Sequence, residues 1–289
     1  MNPVLCGLAE NPALPCDLLD RLIEVADAEI AGSLARREDL GRARAVELAE
    51  RVAESAVELA YEGHLTAADI EPSTQPLAAL ALLDQGRGSP AWARGFATAE
   101  AVEHRERLAG CPALPTDVVK LLAADPDVRV VAELALWTTP EVAAGLARHP
   151  HAAVRRAVAL NQATPPAVLA ALLTGEGLPP ARHCLVCDSK ETPFVHDRHC
   201  PEPDCDLPPG AACDGTHEST VHDMQQAALA NPATPLAAVL GLPNTRPCCC
   251  VGHSPPGPTC PRGSAHGSPW TPCPASVPTS PRIPRWTTP

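Results

Sequence analysis

The stretch TPEVAAGLARHPHAAVRRAVALNQATP, residues 139–165, decides the fold. It runs from one hydroxyl–proline pair, Thr139-Pro140, to the next, Thr164-Pro165, a period of 25 residues. Pro15, Pro90 and Pro115 fall on the same lattice, and Ser89-Pro90 and Thr234-Pro235 repeat the pair. Ser or Thr at an N-cap accepts a hydrogen bond from the first-turn N–H groups; Pro at the first helical position lacks one and arrives with a helical φ. Apolar residues then follow at helical spacing, as in Val168, Leu169 and Leu172. Halfway along, His149-Pro150-His151 opens an Ala/Val-rich segment, as Asp125-Pro126-Asp127 does upstream. The lattice therefore predicts two short helical pieces per unit, joined by Pro-bearing turns, the size of a solenoid repeat.

The pattern extends outward from this unit. Helices should stop before Asn11-Pro12, Cys111-Pro112 and Asn231-Pro232, because a residue preceding proline is pushed out of the α region. Between Ala45 and Ala60 an apolar stripe runs without proline until Gly63, and Leu65-Thr66-Ala67-Ala68-Asp69 reads as another capped start. Residues 71–107 are less regular, with a turn at Gln85-Gly86-Arg87-Gly88. Aromatic residues make up only 2% of the 289 residues, so the core must be built from Ala, Leu and Val.

Ala228-Leu229-Ala230-Asn231-Pro232-Ala233-Thr234-Pro235 resembles the turn signature of leucine-rich repeat variant proteins, relatives of the HEAT-like repeats. Leu8-Ala9-Glu10-Asn11-Pro12-Ala13-Leu14-Pro15 and Leu160-Asn161-Gln162-Ala163-Thr164-Pro165 are similar to it. The resemblance covers roughly residues 1–175 and 225–240. It implies an all-α, right-handed α-solenoid of α/α or alternating α- and 3₁₀-helices, and an iron–sulfur cluster accompanies the repeats in some members. Such repeats imply a binding surface and leave chemistry open.

Charge divides the chain. Residues 1–180 carry a net charge of −10 and residues 181–223 a net of −6, whereas residues 224–289 have no acid and a net of +4. With an overall −12, a nucleic-acid partner is not expected. Arg129, Arg155 and Arg156 are expected to stack as a ladder against Asp125, Asp127 and the acids of adjacent turns; an anionic-ligand groove is the other reading of these cations. Cys6, Cys16 and Cys111 are assigned to repeat turns as small hydrophobes.

Pro165 to Pro235 spans 70 residues, one repeat and 45 more. The extra residues hold two knuckles, Cys184-Leu-Val-Cys187 and Cys200-Pro-Glu-Pro-Asp-Cys205. Four thiolates so spaced can close a tetrahedral zinc site, which would stabilise a polar insert with little core. Cys213-Asp214-Gly215-Thr216-His217 resembles the core of a family holding [2Fe–2S] through three Cys and one His, though the upstream Cys-x-Cys pair of that family is missing. Zinc on Cys184, Cys187, Cys200 and Cys205, an iron–sulfur cluster drawing on Cys213 and His217 or a [4Fe–4S] centre on four of the five insert cysteines, and reduced thiols without metal all stand open. No HExxH, P-loop, GxGxxG or GxSxG occurs, so an enzyme is not expected.

The organisation expected is a helical repeat array over 1–179, a Cys/His-rich metal-binding insert over 180–224 and a truncated final repeat over 225–242. A disordered tail follows over 243–289, where 13 of 47 residues are proline. That tail also reads as an out-of-frame terminus. The N-terminal Met-Asn-Pro-Val-Leu-Cys-Gly has no charged n-region or h-region, so no signal peptide and a cytoplasmic location are expected. The functional expectation is a non-enzymatic scaffold for another protein, away from membranes. The alternative is an iron–sulfur-containing, redox- or metal-responsive regulator.

Overall fold

The structure, a computed structural model, describes residues 3–188 and 218–240. Cys200, Cys205, Cys213, His217 and residues 243–289 lie outside the described residues. Within them the chain is all-α, with one isolated bridge and no strand. The first helices are α1 (Pro3–Ala9), α2 (Cys16–Glu24), α3 (Ala28–Ala35), α4 (Arg42–Arg51) and α5 (Ser55–Tyr61). The middle of the chain forms α6 (Pro76–Asp84), α7 (Pro90–Ala97), α8 (Val102–Ala109), α9 (Thr116–Ala123) and α10 (Val128–Trp137). Then come α11 (Pro140–Leu146), α12 (Ala152–Leu160), α13 (Pro166–Thr174), α14 (Leu185–Asp188), α15 (Glu218–Ala230) and α16 (Leu236–Leu240). No helix among the described residues is long and apolar enough to cross a membrane.

One row of helices packs in succession: α1 on α3, α3 on α5, α5 on α6, α6 on α8, α8 on α10, α10 on α12 and α12 on α15. Alongside it α2 meets α4, α7 meets α9 and α13 meets α16. Each helix in the row buries its apolar face chiefly against its neighbours, so the core runs through the succession of helices. It is filled by Ala, Leu and Val, such as Val130, Val131 and Leu134 of α10 against Val154 and Val158 of α12. In α6, Ala78 to Leu83 are all buried, which is why this helix is apolar on every side.

An asparagine ladder joins the turns that follow α10, α12 and α15. The Asn161 side chain donates to the carbonyls of Ala135 (2.9 Å) and Thr138 (3.0 Å) and accepts from the Ala163 N–H. Asn231 donates in turn to Ala159 and Asn161, both at 2.9 Å, and accepts from the Ala233 N–H. Each amide thus satisfies orphan carbonyls at the end of the preceding helix and folds its own turn. The chain resumes the row at α15 after leaving it at α13. α15 begins at Glu218, inside the stretch given to the insert on sequence.

Several local expectations need correction. Ser89 does cap α7, accepting from the Ala91 N–H, with Pro90 at the first helical position. Thr164 does not cap α13: its hydroxyl donates back to the Val158 carbonyl (2.6 Å), and Pro165 is itself the N-cap residue. Thr234 turns back likewise to Ala228. Pro15 and Pro115 also stand at N-cap positions, in polyproline-like geometry. The stripe from Ala45 to Ala60 breaks into α4 and α5, because the Ser55 hydroxyl donates to the Val52 carbonyl and ends the first helix. Leu65 to Asp69 forms no helix. The Asp69 carboxylate takes the Thr66 N–H (2.9 Å) and hydroxyl (2.7 Å) and pairs with Arg42, closing a turn. The bond to Arg42 is the main cause that holds the Asp69 carboxyl below its ordinary range.

Of the three cysteines assigned to turns, Cys6 lies within α1 and Cys16 opens α2. Cys111 does occupy a turn and is buried, and burial pushes its thiol up to about 12, so it packs as an inert small hydrophobe. The arginine ladder also differs from the one expected. Asp125 pairs with Arg105 of α8, Arg129 pairs within its own turn with Asp127, and among the described residues neither Arg155 nor Arg156 has a carboxylate partner.

Candidate metal centre

The site grows from two equivalent turns. Before α10, Asp125 accepts the Asp127 N–H (2.8 Å) and Asp127 accepts the Arg129 N–H (2.9 Å). Before α12, His149 Nδ1 accepts the His151 N–H and His151 Nδ1 accepts the Ala153 N–H, both at 3.1 Å. Two imidazoles therefore do what the carboxylates of Asp125 and Asp127 do before α10. An Nδ1 that accepts carries no proton, so the His151 ring proton sits on Nε2 and is donated to Asp188 Oδ2 at 3.0 Å. Burial, with His151 nearby, holds His149 below the ordinary histidine range and favours the neutral ring.

The chain leading into the first cysteine knuckle is strapped to this turn. Arg182 and His183 donate their N–H groups to the Pro150 carbonyl (2.8 and 3.3 Å), and the Ala152 N–H donates to the His183 carbonyl (2.9 Å). These bonds form the single parallel bridge between His151 and His183. Asp188, at the end of α14, sits close to both His151 and His183 (3.0 and 3.6 Å). A cleft of about 430 Å³ opens between the two turns, lined by Asp125, Asp127, His149, His151, His183 and Asp188.

Cys184 is fully buried and Cys187 exposed, yet their sulfurs lie 3.7 Å apart. The Cys184 N–H points at Cys187 Sγ, 3.1 Å away. A disulfide needs about 2.05 Å between sulfurs. Two thiolates on one tetrahedral zinc, with bonds of about 2.3 Å, stand about 3.8 Å apart. The pair thus has the separation of two ligands on one ion, with an N–H already directed at a sulfur. Zinc fits these two residues, and so does a single iron. Of the ligands expected from sequence, the structure brings together Cys184 and Cys187. Cys200, Cys205, Cys213 and His217 lie outside the described residues, and among those described no group of three or more Cys, His, Asp or Glu gathers around one point.

His149, His151 and Asp188 were not singled out as a group on sequence. The signal was present: His-Pro-His stands one repeat after Asp-Pro-Asp, in the same frame. No family model, curated protein or solved structure matches the chain.

Proposed function

We propose that this chain is a non-enzymatic scaffold for another protein, a right-handed α-solenoid of the leucine-rich repeat variant and HEAT-like kind. Its Cys-rich insert is stapled by zinc on Cys184, Cys187, Cys200 and Cys205. What supports this reading most is that α15 packs on α12 as α12 packs on α10, so that residues between α13 and α15 interrupt a continuing succession of helices. Insertions in repeat proteins fall on one face and often mark the binding side. The 3.7 Å separation of Cys184 and Cys187 supports the metal. The acidic chain suits a protein partner better than nucleic acid, and a cytoplasmic location agrees with reduced thiols.

Elemental analysis and a visible spectrum of the anaerobically purified full chain test the reading. One equivalent of zinc in a colourless protein is the expected result. Iron with acid-labile sulfide in a brown protein would replace it with the redox- or metal-responsive regulator, for which Cys213-Asp214-Gly215-Thr216-His217 speaks.

A further inference from the structure

Arg105 and Arg155 hold the same place two repeats apart, each the fourth residue of its helix, α8 and α12, with α10 packed between those helices. Both reach back six residues to a main-chain carbonyl, though with different nitrogens: Arg105 through Nη1 to Ala99 (2.7 Å) and Arg155 through Nε to His149 (2.6 Å). Their remaining N–H groups meet different surroundings. Arg105 grips the Asp125 carboxylate with two nitrogens, at 2.6 and 3.2 Å, a bidentate pair. Asp125 stands twenty residues after Arg105. Twenty residues after Arg155 stands Gly175, which has no side chain and has a left-handed φ of +77°.

Among the described residues nothing takes the place of the missing carboxylate. Arg155 is 4% exposed, donates Nη1 to the Pro179 carbonyl (2.7 Å), and leaves Nη2 without any hydrogen-bond partner. Burial lowers its pKa, with no acid nearby to offset the loss of hydration. A buried guanidinium with an unmade hydrogen bond is costly, and the cost is relieved by an anion. Arg155 borders a cavity of about 320 Å³, and Gly175 lines the same cavity. A Cβ built on Gly175 would meet no atom within 4 Å, so the space where the earlier repeat has its acid is open.

The lining selects the ligand. Among the described residues that line it, Arg155 is the only charged one, beside Leu172, Leu178, Val221 and Met224. The Ala152 and Ala153 N–H groups at the start of α12 are already given to the His183 carbonyl and to His151 Nδ1. We propose that this cavity binds a small monocarboxylate with an apolar body, its carboxylate accepting from Nη2 of Arg155, the one nitrogen left open after Nε and Nη1 are given to main-chain carbonyls. A volume near 300 Å³ is at the small end of ligand pockets and suits a chain of a few carbons.

The test uses the full-length protein and titration calorimetry with acetate, butyrate, hexanoate, hexanamide and inorganic phosphate. Hexanoate should bind saturably at one site, about tenfold more tightly than acetate or hexanamide. Arg155→Met should abolish that binding, and Val221→Trp, which leaves Arg155 in place and fills the cavity, should weaken it about tenfold or more. Equal binding of hexanoate and hexanamide by the wild type would overturn the charge assignment whether or not either variant folds. Phosphate binding more tightly than hexanoate would overturn the monocarboxylate, and no saturable binding by any probe would overturn the site. The zinc content of the insert does not enter these readouts, so they stand or fall apart from the scaffold reading.

Discussion

The side-chain amide of Asn231 donates to the main-chain carbonyl of Asn161, 2.9 Å away across seventy residues of sequence, as Asn161 itself donates to Thr138. The contact ties α15 to α12 with the bonds that tie α12 to α10. It requires an amide: one atom must donate to two carbonyls while the other accepts the N–H two residues on.

Asn161→Ala should therefore cost about 2 kcal/mol, because two carbonyls lose their donor and one N–H its acceptor. Asn161→Asp should cost more, since a carboxylate placed against carbonyls has no proton to give them. Urea denaturation followed by circular dichroism measures both. A loss of less than about 0.5 kcal/mol for either would mean that water or a shifted turn replaces the amide.

Arg105 and Asp125 form the most deeply buried ion pair described, with side chains 12% and 4% exposed, whereas those of Arg94 and Asp117 are both 55% exposed. Asp125→Asn keeps the acceptor for the Asp127 N–H and removes only the charge. It should cost about 3 kcal/mol, and clearly more than Asp117→Asn, whose pair is screened by solvent. Equal losses in urea titrations would show that burial does not set the strength of these pairs.

Cys184→Ser and Cys187→Ser should each remove bound zinc while leaving most helical circular dichroism intact, because the helix row packs without these side chains. Chelation of the wild type should do the same. Metal content and the signal at 222 nm are measured together. Wholesale loss of helicity on chelation would show that the array depends on the metal.

His149 binds a proton less readily folded than unfolded, its value lying below the ordinary 6.5. The unfolded chain then takes up more protons as pH falls below that value, so stability should fall from neutral pH toward pH 5. Protonation also removes the Nδ1 acceptor from the His151 N–H. His149→Asn, whose Oδ1 can accept as Asp125 does, should flatten the curve over this range. The carboxylates held low by arginine, such as Asp20, Asp117 and Asp127, lose their contribution only below about 3.8, outside the window. An unchanged slope in the variant would assign the pH dependence elsewhere.

Helix positions were largely legible before any coordinates. The ends at Ala9, Ala109 and Ala230 precede Asn11-Pro12, Cys111-Pro112 and Asn231-Pro232, since proline restricts the residue before it whatever surrounds it. Local rules failed where a side chain chose a distant partner. Thr164 had the hydroxyl of an N-cap, yet it bonds to Val158, and Asp69 closes a turn with Thr66 and Arg42 instead of leading into a helix. Half of the cysteine site could be read from the two-residue spacing of Cys184 and Cys187, which brings their sulfurs together on one short helical turn.

Sequence by itself determined the helical class, several helix ends and the nearness of Cys184 to Cys187, because these rest on backbone restriction and on residues a few positions apart. Only the tertiary structure decided which arginine meets an acid. Arg105 and Arg155 look alike along the chain, and the difference between a filled and an empty place beside them is made by Asp125 and Gly175, each brought in from the neighbouring turn by packing.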